Sequence, residues 1–204
     1  MPMDYAAQVR ALIEAGHAFY GRGWVPATSG NFSARVDDEW VAITVSGRHK
    51  GKLTPDDIML MDMEGKPLTA GKKPSTEIAL HLSLYRRDPT TQAVLHTHSV
   101  SATTLSLLLQ DALSLRDYEV LKAFPGIDTH EYEVVVPIFA NDQDIDRLAV
   151  TVEHYLDYHL DNYGYLIAGH GFYTWGNSVE DACRHVEAFE FLFECEMLKR
   201  GMTR

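Results

Sequence analysis

Cysteine is nearly absent from this chain. Only Cys183 and Cys195 occur, both in a strongly helical region. Neither a disulfide framework nor a cysteine-rich metal site is available from them. Positive charge is also scarce: 18 Lys and Arg stand against 29 Asp and Glu, a net charge of -11. That balance speaks against a nucleic-acid partner, which needs a basic face to meet the phosphate backbone. A small phosphorylated ligand stays open, because a local nest of backbone donors suffices for it. Long apolar runs are missing as well. None approaches the roughly 18 residues that a membrane helix requires. The segment "MPMDYAAQVRALIEAG" lacks the architecture of a signal peptide. These absences predict a cytoplasmic protein with no membrane partner.

What is present is ordinary globular material. With 204 residues, 46% hydrophobic and 23% charged, the chain suits one domain over residues 1–204. A core of that size needs no structural metal, so any metal here is expected to be catalytic. No repeat, low-complexity tract or long linker interrupts the chain. The first 22 residues carry Val9, Leu12, Ile13, Phe19 and Tyr20 near helical period. "NFSARVDDEWVAITVSG" reads as a hairpin turning at "VDDE". "LTPDDIMLMDMEGKPL" offers Thr54 as N-cap, Pro55 at N1 and Asp57 at N3, then a strand over 58–63. "STEIALHLSLYRRDP" is helical, "TQAVLHTH" a buried strand, and "SATTLSLLL" the helix after it. "EVVVP" and "GYLIAG" are further strands. The helix between them is capped near Asn141 or Asp142, and a last helix starts at Asn177, with Glu180 at N3, and runs to about Arg200. Mixed elements and an early hairpin predict a layered α/β fold with a mainly antiparallel sheet flanked by helices. Strand order is not readable.

The histidines carry the chemistry. In an extended strand, residues i and i+2 point the same way, so His96 and His98 in "VLHTHS" can aim two rings at one point. His170 follows the apolar "YLIA", between Gly169 and Gly171, which let a backbone bend sharply or approach another group. Three histidines with an open position form a catalytic zinc pattern. Residue types alone also leave Fe, Mn or Ni open. The bland alternative is a polar strand end and a turn. The other histidines read as helix or loop residues. His81 lies four residues after Glu77 on one helical face, where packing or a local pair accounts for it. Glu77 sits at a helix start, either complementing the helix dipole or touching a metal and its ligand.

Three stretches rich in hydroxyls and glycine could cradle phosphate oxygens. They are "ATSGN" with Ser29, Gly30 and Asn31, "TVSG" with Ser46 and Gly47, and "PST" with Ser75 and Thr76. Each alone is an ordinary turn. Together with a metal they suggest a small sugar phosphate. Lys50 and Lys52 could add charge, or lie in a solvated loop. Phe19, Trp24, Phe124, Phe172 and Tyr173 are available as an apolar wall, though such aromatics usually build core.

"TSGNFSARV", "ITVSG", "KPSTE", "LHTHS" and "GHG" occur in an order and spacing that resemble the class II aldolase family of metal-dependent sugar-phosphate enzymes. The resemblance runs over roughly residues 8 to 200. The segments "SGRHKGKLTPDDIMLMD", "YEVLKAFPGIDTHE" and "VPIFANDQDI" draw it towards a dehydratase branch of that family. It implies one Zn2+ per subunit on His96, His98 and His170. It implies phosphate contacts at Ser29, Gly30, Asn31, Ser46, Gly47, Ser75 and Thr76, and a homotetramer with sites near subunit interfaces. It puts Glu77 where the aldolases bind metal and some dehydratases carry cysteine, so Glu77 is grouped here with the substrate-binding residues. It also makes Glu119 the acid/base, a residue that local reading would leave on a solvated face. Aldol cleavage or epimerisation at the same site is the alternative activity. A catalytically silent binding scaffold is the third, and an intact histidine set speaks against it.

Overall fold

The computed structural model describes residues 5–68 and 71–202. Eight strands form one sheet in the order β3-β2-β1-β4-β8-β7-β6-β5. They are β1 (Asn31–Arg35), β2 (Trp40–Thr44), β3 (Ile58–Asp62), β4 (Ala93–Thr97), β5 (Ala112–Arg116), β6 (Glu133–Phe139), β7 (Gly164–Ile167) and β8 (Gly171–Gly176). Every neighbouring pair is antiparallel except β6 with β7. The helices are α1 (Tyr5–Gly21), α2 (Ile78–Arg87), α3 (Val100–Leu108), α4 (Ile145–Tyr158) and α5 (Val179–Met202). The expected layered α/β fold is what the chain adopts.

Alternation along the strands sorts the helices into two layers. Val41 and Ile43 of β2, Val94 of β4, Tyr165 and Ile167 of β7 and Tyr173 of β8 pack with α2 and α4. Ala42, Leu95, Leu166 and Phe172, one position along, pack on the other face with α1, α3 and α5. Side chains of a strand alternate between faces, so a sheet covered on both sides buries every position of its central strands. All five residues of β1 are buried. Phe32 and Ala34 enter the α1 side, whereas Asn31, Ser33 and Arg35 face α2 and find polar partners there. On α1, Leu12 and Phe19 are buried, each burial stabilising the fold by about 1.5–3 kcal/mol.

Several local expectations hold. The "VDDE" turn joins β1 to β2, and Thr54 and Asp57 form the reciprocal capping box with Pro55 behind the cap. Two caps move. The α4 cap is Asp144, whose side chain accepts from the Arg147 N–H, and not Asn141 or Asp142. At α5, Ser178 accepts from the Asp181 N–H, so the helix starts one residue later than Asn177 implied. Acidic and hydroxyl residues crowd both loops, and only the backbone path selects among them. Sequence reasoning missed β5 and β8. The second omission matters most, because β8 pairs with β4 and carries the chain away from His170.

Candidate metal centre and substrate clefts

β4 and β8 lie side by side, with His96 opposite Tyr173 and Thr97 opposite Phe172. The turn from β7 into β8 therefore lands beside the end of β4. Gly169 turns the chain with a positive φ of 64°. Gly171 lets it approach: a Cβ there would stand 2.2 Å from the Thr97 carbonyl and 2.9 Å from His96 Cε1. The flanking glycines thus perform both tasks expected of them. One ligand atom from each of His96, His98 and His170 falls within 4.8 Å of the others. The His96 ring lies 4.4 Å from that of His98 and 5.1 Å from that of His170, centroid to centroid.

His96 is held for ligation. It is fully buried, and its ring stacks on Tyr173 at 3.9 Å. Its Nδ1–H donates to the Phe172 carbonyl at 3.0 Å, which leaves Nε2 as the lone-pair nitrogen. That Nε2 is buried without a hydrogen-bond partner. Burial pushes His96 well below its ordinary value and His98 down to about 4, so both rings are neutral at neutral pH.

Glu77 stands across from them. It occupies the N-cap position of α2 but caps nothing with its side chain. Its Oε1 lies 2.8 Å from His170 Nε2 and its Oε2 3.6 Å from His96 Nε2. Burial alone would raise this carboxyl's pKa. The His170 hydrogen bond, the two rings and the Asn31 amide outweigh it and hold the group well below the usual carboxylate range. A half-buried carboxylate among imidazole nitrogens, one of them an orphaned lone pair, is a donor set that a divalent cation completes. The residues fit such an ion, with His96, His98 and His170 to hold it and Glu77 alongside.

All the predicted phosphate residues converge. Ser29, Gly30, Asn31, Ser46, Gly47, Ser75 and Thr76 line one cleft of about 340 Å³ together with Glu77, His98 and His170. A bridge between Val45 and Pro74 and a Ser46 N–H to Lys73 carbonyl bond bring two of the three stretches together. Gly30, with φ 77°, lies so close to the His96 carbonyl that a Cβ would be 2.7 Å from it. Lys50 also lines this cleft, whereas Lys52 is exposed. The Lys50 ammonium is buried and donates to the carbonyls of Thr28 and Arg48. Burial pushes it down to about 8, against the pull of Glu77.

A second cleft of about 460 Å³ shares His98 and His170 with the first. It is lined by Thr76, Glu77, His98, Gly169 and His170, and by Asn141, Gln143 and Ile145. Sequence reasoning did not assign those last three to the site. Their signal was "FANDQDI", polar residues in a loop that follows a strand. The five aromatics line neither cleft; they are core, with Tyr173 serving as the platform for His96.

Glu119 is not brought to this site within one chain. It opens a single-turn helix, Glu119–Ala123, with its side chain 70% exposed. There it pairs with Lys122 at 2.7 Å and His130 at 3.7 Å, and it lines neither cleft.

The sheet order, the three histidines and the hydroxyl-rich cleft define a metal-dependent sugar-phosphate enzyme. The Class II Aldolase and Adducin N-terminal domain family matches residues 10–197, and this chain belongs to it. Among relatives, the chain is 58% identical to the methylthioribulose-1-phosphate dehydratase of Methylococcus capsulatus over 201 residues, covering 98% of each. It is 57% identical to the same-named protein of Azotobacter vinelandii over 198 residues, covering 97% of this chain and 96% of that one. Its fold is similar to L-fuculose-1-phosphate aldolase from Thermus thermophilus, with a TM-score of 0.78 at 25% identity and 97% of each chain covered. Among the described residues no helix is long and apolar enough to cross a membrane.

Proposed function

We propose that this chain dehydrates 5-methylthioribulose 1-phosphate to 2,3-diketo-5-methylthiopentyl 1-phosphate, a step of methionine salvage. One observation carries the reading. The phosphate cleft and the second cleft meet at Thr76, Glu77, His98 and His170. A substrate with phosphate at one end and a thioether at the other can therefore lie across the histidines with its C2 ketone between them. The similarity to dehydratases over nearly the whole chain selects loss of water over aldol cleavage.

The substrate has hydroxyls at C3 and C4. Dehydration removes the C3 proton, expels hydroxide from C4, and leaves an enol that ketonises to the diketone. The metal is zinc, on His96, His98 and His170; when bound it stabilises the negative charge that develops on the C2 oxygen as the C3 proton leaves. Ser29, Gly30, Asn31, Ser46, Gly47, Ser75 and Thr76 hold the phosphate through hydroxyls and backbone N–H groups, with Lys50 supplying the positive charge. Glu77 contacts the substrate end of this cleft and orients it. Glu119 is the acid/base: as carboxylate it takes the C3 proton, and as acid it protonates the departing C4 oxygen. Because Glu119 lines neither cleft of its own chain, the reading assigns it to the site of a neighbouring subunit, in a homotetramer built from one domain per chain. The solvated surface position is then a property of the isolated chain only.

Metal analysis of the purified protein, paired with turnover of the substrate followed by diketone absorbance, tests the reading. About one zinc per chain with diketone formation is the expected result. Release of dihydroxyacetone phosphate or an aldehyde instead would move the activity to aldol cleavage.

A further inference from the structure

Behind Glu77 lies a line of buried polar groups, of which only Asn31 has a part in the reaction described above. Asn31 Nδ2 donates to Glu77 Oε2 at 2.6 Å. Asn31 Oδ1 faces His81 Nε2, His81 Nδ1 faces the Ser33 hydroxyl at 2.7 Å, and that hydroxyl faces Tyr85 OH at 2.8 Å. Asn31 and Ser33 come from β1, His81 and Tyr85 from α2, and all four are buried.

A carboxylate can only accept, so it assigns every role along the line. Asn31 must present its NH2 to Glu77, which turns its carbonyl to His81. His81 Nε2 must then carry the proton. His81 has no second proton to offer, because complete burial pushes it down to about 4. Its Nδ1 is therefore an acceptor, Ser33 donates to it, and Tyr85 donates to Ser33. Reversing the Asn31 amide would set two oxygens face to face at Glu77 and two N–H groups face to face at His81.

We propose that His81 is a positioning residue for the metal centre: its Nε2–H locks the Asn31 amide, and the locked amide holds the Glu77 carboxylate against His96 and His170. This rests on reading those histidines and Glu77 as the metal and substrate site. Glu77 stands directly behind His170 and beside His96, and support of that kind for metal-holding histidines is worth about 10–100-fold in metal affinity or activity.

The test is zinc affinity of the full-length protein, by competition with a chelator. His81→Phe removes the donor but keeps a flat ring in the space; His81→Gln keeps an N–H donor on a smaller side chain. The proposal expects His81→Phe to lose about tenfold or more in zinc affinity and His81→Gln to stay within about threefold. A His81 that merely fills space gives the reverse order, and that order overturns the proposal, as does wild-type affinity in both variants. If His81→Phe does not fold, Ser33→Ala takes its place. That variant frees Nδ1 to take the proton, so zinc should bind several-fold more weakly; an unchanged affinity overturns the proposal. A wild-type protein that binds zinc but leaves the methylthio sugar untouched would sink the functional reading and leave the zinc result standing.

Discussion

Gly171→Ala is a one-carbon perturbation with a calculable effect. The new Cβ would stand 2.2 Å from the Thr97 carbonyl, 2.9 Å from His96 Cε1 and 3.3 Å from His98 Cδ2. The first neighbour is backbone at the end of β4, where Thr97 pairs with Phe172 of β8, and it cannot rotate aside. β4 and β8 must separate by about 1 Å to restore even a tight van der Waals contact. Overpacking of this kind costs about 1–3 kcal/mol. For a domain of this length that is a fall of about 2–12 °C in thermal midpoint. The functional effect should be larger than the stability effect. The same separation displaces two of the three metal-holding rings, and a misplacement of about 1 Å costs on the order of 100-fold in rate. The assay combines the thermal midpoint of metal-free protein, zinc retained after dialysis against a chelator, and turnover. A Gly171→Ala protein that keeps its zinc, its turnover and a midpoint within about 1 °C of wild type would refute the close-approach argument.

Other expectations follow from the same geometry. His96→Ala should lose metal and activity together; full zinc stoichiometry in that variant removes the three-histidine assignment. Glu119→Gln should lower turnover by about 10²–10⁴-fold with zinc still bound. Mixing Glu119→Gln with His96→Ala subunits should restore activity that neither has alone, because one interface then holds an intact pair; no recovery places Glu119 outside a neighbour's site. Lys50 carries its charge below about 8. Since kcat/KM reports the free enzyme, it should decline as pH rises through about 8, and Lys50→Met should abolish that limb. A flat profile from pH 7 to 9.5 in the wild type would show that the ammonium does not read the phosphate.

Much of the site was legible because its chemistry is written in short motifs. His96 and His98 share a direction by strand period, and "GHG" signals a bend and a close approach; both readings depend only on local backbone geometry. The three hydroxyl-rich stretches were legible as a set. Glu77 was legible only as one of two readings, since a carboxylate at a helix start also has a sufficient local explanation. Only the tertiary structure shows that its side chain makes no cap bond and lies beside His96 and His170. Asn141, Gln143 and Ile145 lie in "VPIFANDQDI", a segment that signals the family but no chemistry, and they join the site because α4 starts beside the β7–β8 turn.

By itself the sequence determined the metal-binding residue types, the hairpin that starts the sheet, the helices with clear periods, and the family. These are local properties, set by side-chain chemistry and by the periods of helix and strand. Tertiary structure alone decided which strand lies beside β4, and hence that His170 reaches His96. It also decided that the polar side of "NFSAR" is not a solvent face: α2 covers it, and Asn31, Ser33 and Arg35 bond there instead. The reason is the same in both cases. Pairing partners and burial depend on contacts between residues far apart in the chain, and no window of sequence short enough to show a period contains both sides of such a contact.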